Sequence, residues 1–488
     1  GQGMPTGIKE IDAAAQGLAV SGNSNRSVLT SILGRAFYSY KNRYLLTATI
    51  RRDGSSKFGS NNRYGNFPSF SAGWNIAEED FVKNSVSWLD QLKLRGGYGV
   101  LGNQEIDNYQ YVSVVTTGIN YPDGKSGLIQ GAFPKTFANP DIKWEETAMT
   151  NVGIDFMALR NRLTLTADWY VKNTKDILLN VPIPISSGGA NDPIQNAGKI
   201  RNQGFEFNIG WNESLNKDLS YGVSFLGTYN KNEVIALGEG MQPIESGTIH
   251  NGTYTSRTLA GYPIGGFWLI PTDGYFNSTE EVQAYQKDGV LIQPSAEPGD
   301  IRFKDTNNDG TINDDDRVYS GSPFPKFTYS INGNITYKNV DFSIGFQGVA
   351  GNKIYNATRL ELTDVTRGTN YLASTLDYWT PENHNASQPR LIWTDPNRNA
   401  RSESDRYLEN GSYFRLRNLQ VGYTLPAAWF HGFVQKARVY VNAENLFTIT
   451  SYSGYTPDVN SSNVYSRGFD EFIYPSNRTF MLGLNVTF

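Results

Sequence analysis

The chain has 488 residues, a formal net charge of −4 and a sequence pI near 5.6. This charge balance, together with the lack of a Lys/Arg cluster, excludes a nucleic-acid-binding surface. Cysteine is absent, so disulfides, thiolate metal sites and cysteine nucleophiles are also excluded. No apolar run reaches the roughly 18 residues that a transmembrane helix needs.

Two readings of the composition stay open. The mean hydropathy of −0.45 is typical of a soluble protein, but a membrane barrel gives a similar average because only alternate residues meet lipid. Aromatic residues make up 13% of the chain, and there are 29 Tyr and 49 Gly. Tyr and Trp rings favour the boundary between water and lipid, which agrees with a barrel.

Residues 1–25 are rich in Gly, Ser, Asn and Ala and predict an irregular segment. From Arg26 onward, apolar and polar residues alternate with a period of two, the pattern of a strand with two different faces. We count about fourteen such strands. The clearest lie at 28–40, 43–52, 162–172, 205–211, 221–229, 327–337, 340–346, 414–423 and 438–444. A soluble sandwich could explain any one of them, but the repetition favours an all-β, transmembrane antiparallel β-barrel.

The connections between these strands fall into two sizes. Short turns are predicted at 41–42, 160–161, 213–217 and 338–339. Long connections are predicted at 103–142, 231–324, 354–405 and 450–477. Barrels with tight periplasmic turns and long extracellular loops have this asymmetry. A change of phase near Arg417 predicts a β-bulge in that strand.

The last nine residues have the clearest alternation. Large apolar side chains occupy every second position, and Met, Gly, Asn and Thr fill the places between them. The run resembles the terminal-strand signal of outer-membrane barrels, so we expect it to be the closing strand. Its predicted assembly signal consists of Gly483, Val486 and Phe488.

Catalysis finds little support in the sequence. Residues 97–102 match G-x-G-x-x-G, but the residues that follow do not predict the helix that binds pyrophosphate, so we interpret this run as strand. His250, His384 and His431 lie far apart, each without a second ligand at metal spacing. There is no P-loop and no G-x-S-x-G elbow. We therefore predict that the protein is not an enzyme.

Residues 305–316 place oxygen-bearing side chains at the spacing of a calcium loop, with Gly310 at the turn position. The pattern resembles an EF-hand or dockerin-type loop, although residues 299–303 and 317–319 do not look helical. The predicted Ca²⁺ would act as a structural staple of the 231–324 loop, and the alternative is an Asx-rich turn without an ion. The candidate ligands are Asp305, Asn307, Asp309, Thr311, Asn313 and Asp316.

The run 261–268 combines Gly, Pro and aromatic residues within the same long connection. Its rings could stack against a sugar or a peptide, or they could pack the loop. Packing is the commoner outcome for such a run. The weak substrate-binding candidates are Tyr262, Phe267 and Trp268.

Taken together, these motifs resemble the SusC/RagA family of TonB-dependent outer-membrane transporters from Bacteroidetes. The motifs occur in order along nearly the whole chain. They are RRDGSSKF at 51–58, NFPSFSAGW at 66–74, LKLRGGYG at 92–99 followed by GNQ at 102–104, NPDIKWE at 139–145, the 305–316 loop, YFRLRN at 413–418 and ENLF at 444–447.

The resemblance implies a large plugged barrel of the 22-stranded type. About fourteen strands cannot close it, so we expect residues 26–488 to be its C-terminal portion, with the N-terminal barrel strands and the plug outside this chain. It further implies import of oligosaccharides or peptides with a SusD-like surface lipoprotein, powered by the TonB complex through the plug, in the lipid of the bacterial outer membrane. The alternative is a secreted β-rich glycan-binding or adhesion protein with a calcium-stapled loop.

Overall fold

The computed structural model of the protein describes residues 24–122, 124, 128–181, 193–238, 240–249, 253–430, 432–459, 461 and 463–488. Thirteen of the described strands form one antiparallel sheet in which each strand pairs with the next along the chain. They are β1 Leu29–Tyr40, β2 Tyr44–Ser55, β3 Tyr64–Asn75, β4 Leu89–Asn103, β5 Glu145–Ala158, β6 Leu163–Lys175, β7 Lys199–Ser214, β8 Leu219–Ala236, β9 Phe327–Tyr337, β10 Val340–Ala350, β11 Tyr413–Leu425, β12 Lys436–Thr450 and β13 Thr479–Thr487. The all-β prediction is confirmed, with a count close to the expected fourteen. Of the segment predicted to be irregular, residues 1–23 lie outside the described residues.

The alternation of the sequence becomes the two faces of this sheet. In the β12–β13 pair, Val439 lies opposite Leu484 and Val441 opposite Leu482. These apolar side chains stay largely exposed, with Leu482 at 78%. A water-soluble sheet would bury such a stripe, whereas a barrel presents it to lipid. We call this the outer face and the opposite, polar side the inner face.

The two ends of the sheet differ as predicted. At one end lie the connections 41–43, 76–88, 159–162, 215–218, 338–339 and 426–435. At the other end lie 56–63, 104–144, 176–198, 237–326, 351–412 and 451–478. The predicted long loops are confirmed, and 176–198 is a further one that the sequence did not reveal. Lys41 and Asn42 turn the first hairpin with φ values of 50° and 56°, in the left-handed region.

Two local predictions within strands are also confirmed. The β10–β11 register shifts so that Gly345 pairs with Asn418 and Phe346 with Leu416, which leaves Arg417 as the bulged residue. The G-x-G-x-x-G run lies inside β4, where no helix follows its glycines.

The long connections contain the smaller elements. Three short α-helices are α1 Asp80–Lys83, α2 Thr279–Ala284 and α3 Ala357–Thr363. The 3-10 turns are Ile76–Glu78, Asp314–Asp316, Val365–Arg367, Ala373–Leu376, Asp405–Tyr407, Ala427–Phe430 and Val464–Ser466. The short strands are Val114–Pro122, Leu128–Thr136, Leu178–Asn180, Ile194–Asn196, Ile244–Ile249, Thr253–Thr258, Gly266–Leu269, Thr272–Tyr275, Gln286–Lys287, Val290–Leu291, Ile301–Phe303, Val318–Gly321, Lys353–Asn356, Leu408–Asn410 and Phe469–Asp470. In the part of the chain that the structure describes, no helix is long and apolar enough to cross a membrane.

The sheet is open within the described residues. Strands β1 and β13 form its two edges, and each pairs with a single neighbour there. The expected closure of β13 against a strand outside this chain stays a prediction.

The outer face of β13 provides a test of the lipid-facing assignment. We expect Leu482→Lys to destabilise the barrel by about 2–4 kcal/mol, the cost of a lysine on the lipid face near the bilayer midplane. The matched control is Met481→Lys, because Met481 is the adjacent residue on the inner face and is also exposed, at 41%. Urea unfolding of the complete protein in lipid vesicles, followed by heat-modifiable gel migration, measures both. Equal effects of the two lysines would contradict the assignment.

Candidate functional site

The long connections pack against one another and form a layer with its own core. Its buried side chains come from the connections 237–326 and 351–412. They are Ile249, Phe267, Leu269, Tyr355, Ala357, Leu360 and Tyr407. Phe469, from the connection 451–478, stacks on Tyr355 with ring centroids 5.5 Å apart and an interplanar angle of 4°. We call this packed body the loop layer. Because its core is apolar, the layer presents a preformed surface.

Residues 261–268 attach the loop layer to the inner face of the sheet. The backbone N–H of Gly261 donates to the carbonyl of Val234 (2.7 Å), and the N–H of Val234 donates to the carbonyl of Tyr262 (2.8 Å). The Asn232 side chain, on the inner face of β8, accepts from the N–H of Ile264 (2.9 Å). Its amide donates to Asn202 of β7 (2.9 Å). The aromatic run therefore lies against the barrel wall.

The three weak substrate candidates have different environments. Phe267 is fully buried in the core of the loop layer, so its ring has no surface to offer a substrate and it packs the loop. Tyr262 and Trp268 form an edge-to-face pair with centroids 4.8 Å apart. Tyr319 lies 5.1 Å from Tyr262 and 6.0 Å from Trp268. All three of these rings keep part of their surface exposed, and a substrate role for Tyr262 and Trp268 stays a prediction.

The 305–316 loop folds as a series of side-chain-to-backbone turns. The two Asp305 carboxylate oxygens accept from the N–H groups of Asp309 (3.0 Å) and Gly310 (2.8 Å). Asp309 accepts from the N–H of Thr311 (2.8 Å). At the end of the loop, Asp316 is fully buried and accepts from the N–H of Asn313 (2.8 Å). Gly310 has a φ of 94°, which favours glycine at the turn.

The electrostatics of this loop centre on Asp309. The side-chain amide of Asn307, 2.9 Å from it, and the N–H and hydroxyl of Thr311 lower the pKa of Asp309 from 3.8 to about 2. The loop therefore holds an ionised carboxylate among oxygen donors, the ligand type that Ca²⁺ prefers. Each carboxylate oxygen has two lone pairs, so the hydrogen bonds of Asp305 and Asp316 leave acceptor capacity for an ion.

Metal sites built from acidic, imidazole or thiol side chains were sought throughout the described residues. No group of three or more His, Cys, Asp or Glu side chains there has an arrangement that could hold a metal ion. Coordination in 305–316 would therefore depend on amide and carbonyl oxygens as well as carboxylates, and the calcium site stays a prediction. Among the three histidines, His250 and His431 lie outside the described residues, and His384 hydrogen-bonds the Pro381 carbonyl (2.8 Å).

The inner wall carries charges that are paired across strands. Arg95 of β4 donates from Nη1 and Nη2 to both oxygens of Asp168 on β6, at 2.6 and 2.5 Å. Its Nε lies 3.2 Å from Asp155 on β5. Gly153 leaves room for this contact, since a Cβ there would lie 2.4 Å from the Asp168 carboxylate. One arginine against two carboxylates gives this part of the wall a net negative charge and a hydrated, polar character.

The predicted assembly residues lie on the two faces of β13. Gly483 faces inward beneath the Tyr440 ring, where a Cβ would lie 2.2 Å from the ring carbon Cζ. Val486 faces outward opposite Ala437. Phe488 is 71% exposed and contacts the Phe433 ring edge-on at 5.6 Å. Gly483 thus has a packing reason of its own, and the assembly role of the three residues stays a prediction.

Comparison with known proteins now decides the family. Residues 10–446 match the family described as "TonB dependent receptor-like, beta-barrel". The chain belongs to this family. The predicted membrane-barrel fold class and its all-β architecture are thereby confirmed.

Relatives of this TonB-dependent receptor barrel include a protein named TonB-dependent receptor P3 from Formosa agariphila, 33% identical over 98% of this chain and 47% of that protein. TonB-dependent receptor SusC from Bacteroides thetaiotaomicron is 31% identical over 95% of this chain and 44% of that protein. A solved structure of the RagAB peptide transporter has a TM-score of 0.78 at 26% identity, covering 97% of this chain and 49% of that one. The SusC/RagA resemblance is confirmed, and the chain spans about half the length of these relatives.

Sequence reasoning missed two members of the aromatic site. Tyr319 lies more than fifty residues after Tyr262, beyond the calcium-type loop, and only strand pairing of Tyr319 with Trp268 brings the rings together. Asn232 reads in the sequence as one more polar residue of a strand. Its position at the loop end of β8, next to residues of the long connection, was the one available signal.

The lowered pKa of Asp309 makes the loop sensitive to acid in a predictable range. Because the pKa is depressed, the stabilisation is complete above 3.8 and is lost as the pH falls through about 2. We expect pepsin cleavage within 305–316 of the calcium-depleted protein to rise near pH 2. Asp309→Asn is the control that cancels the pH dependence of pepsin itself. A change in the ratio of the two cleavage rates centred near pH 4 would show that the pKa is not lowered.

Proposed function

We propose that this chain forms barrel wall and surface loops of a TonB-dependent importer in the bacterial outer membrane. The observation that carries the proposal is the family match, joined to a sheet with an apolar outer face and a polar, charge-paired inner face. An apolar outer face suits lipid, and a polar inner face suits a hydrated path for solutes. Family membership favours this function over a secreted adhesion protein.

The substrate that we propose is an oligosaccharide or a peptide, taken up together with a SusD-like surface lipoprotein. The similarity to SusC, and to a RagAB complex described as a peptide transporter, supports both substrate classes. A preformed loop layer would bind the lipoprotein and the substrate at low ordering cost, since its core is already packed. Force from the TonB complex would act on the plug. No covalent bond changes in this process, so the protein is proposed as a transporter and not an enzyme.

Uptake in cells tests the proposal directly. With the complete gene expressed in its native host, we expect accumulation of a labelled oligosaccharide or peptide pool to disappear when either this gene or TonB is deleted. The barrel should also be found in the outer-membrane fraction with heat-modifiable gel migration. Uptake that persists without TonB would identify a passive pore instead, and a detergent-independent soluble monomer would overturn the membrane assignment.

We also propose that residues 305–316 bind one Ca²⁺ as a structural staple. The carboxylates of Asp305, Asp309 and Asp316 would supply the charge. Side-chain oxygens of Asn307 and Asn313 and the Thr311 carbonyl would complete an all-oxygen shell. When bound, the ion would neutralise carboxylates that otherwise rely on hydrogen bonds within the loop. The Asx turns already present support the proposal, because they preform the loop without an ion.

Metal analysis of the purified protein tests the calcium site. We expect about one calcium per chain and faster proteolysis within 305–316 after chelation. The double variant Asp305→Ala/Asp309→Ala should lose both the metal and the chelator effect. Asp315→Ala is the matched control, since this exposed neighbour is not among the candidate ligands. Wild-type protein without calcium, or a double variant that behaves like wild type, would leave only an Asx-rich turn.

A further inference from the structure

A cleft of about 610 Å³ lies between the connections 351–412 and 451–478. Its lining is dominated by side-chain hydroxyls and amides, with one aromatic ring. We call it the hydroxyl cleft. The members that carry the argument below are Asn356, Arg359, Glu409, Ser453, Tyr455 and Gln388.

The floor of the hydroxyl cleft is fixed by hydrogen bonds around one carboxylate. Glu409 Oε1 accepts from Asn356 Nδ2 (3.1 Å), Arg359 Nη1 (3.2 Å) and the Ser453 hydroxyl (2.8 Å). Its Oε2 accepts from the Ser453 N–H (2.8 Å). Asn356 is 2% exposed, and its carbonyl oxygen accepts from the Arg359 N–H (2.8 Å), which caps α3. Both connections therefore contribute to one rigid polar surface.

This floor has nearly balanced charge. The Arg359–Glu409 ion pair cancels, and the side chains of Ser453 and Gln388 add neutral groups that both donate and accept hydrogen bonds. An ionic ligand would find no uncompensated opposite charge on this floor, and burying a charge without a partner is costly. A ligand rich in neutral hydroxyls could satisfy both the donors and the acceptors.

The rim of the cleft presents an aromatic face. Tyr455 lines the cleft and is 71% exposed. A tyrosine ring offers a flat apolar face and a polar tip. The C–H face of a pyranose ring matches that flat surface, while the sugar hydroxyls match the floor. Ligand sites commonly combine an apolar surface with a few fixed polar groups in this way.

We propose that the hydroxyl cleft is a binding subsite for a neutral oligosaccharide. A sugar ring stacks on Tyr455, and its hydroxyls bond to the floor around Arg359 and Glu409. This inference rests on the proposed importer function and narrows its substrate from two classes to one.

Binding measurements on the detergent-solubilised complete protein test the subsite. The probes are an array of neutral gluco-, manno-, galacto- and xylo-hexasaccharides, with hexa-alanine and a hyaluronan hexasaccharide as peptide and anionic comparisons. We expect a neutral hexasaccharide to bind and Tyr455→Ala to weaken its binding about tenfold. Tyr474→Ala is the matched control, because this tyrosine is in the same connection, is 83% exposed and does not line the cleft. Since both side chains are exposed, neither substitution threatens folding.

Each other result overturns the subsite. Binding of hexa-alanine that is sensitive to Tyr455→Ala would assign the cleft to peptides. Selective binding of the hyaluronan probe would show that the charge argument is wrong. Equal saccharide affinity in wild type and Tyr455→Ala, or no binding of any neutral probe, would remove the cleft from substrate recognition. TonB-dependent uptake, measured separately in cells, would still stand in all these cases, so failure of the subsite and failure of the importer function can be told apart.

Discussion

The structure depends on the need to pair every backbone N–H and C=O group inside lipid. An unpaired group in hydrocarbon costs several kcal/mol, so a sheet that crosses a bilayer has to satisfy its strands laterally. The chain meets this need with the simplest topology, in which β1 to β13 pair strictly with their neighbours in sequence. The same register places Leu482 and Val441 together on the outer face. Pairing and lipid contact are thus two results of one alternation.

Neighbour-only pairing leaves the connections free to serve different purposes at the two ends. At one end, left-handed residues such as Lys338 reverse the chain within a tight turn. At the other end, the connections build cores like those of soluble domains. Phe58, Ile142 and Trp144 are nearly or fully buried together, and the Trp144 indole donates to the Arg63 carbonyl (3.1 Å). Such packing positions the loops before any ligand arrives.

The sequence predicts what is local and periodic. Strand alternation, the Arg417 bulge and the turns of 305–316 all depend on residues within a few positions of one another. The cores of the loop layer could not be predicted in this way, because Phe267 and Tyr355 lie far apart in sequence and no period connects them. The hydroxyl cleft was hidden for the same reason, since Glu409 and Ser453 come from different connections. For Phe267, one composition suited both stacking and packing, and only burial distinguishes them.

The calcium-type loop and the aromatic group on the inner wall are parts of one continuous structure. Immediately before the loop, the strand Ile301–Phe303 pairs with Thr272–Tyr275. Immediately after it, Arg317 donates to Asp314 at 2.7 Å, and the next strand pairs Tyr319 with Trp268. The loop is therefore anchored on both sides in paired strands, one of which carries a ring of the aromatic group. Whatever fixes the geometry of 305–316 also fixes where the Tyr319 ring lies beside the inner wall.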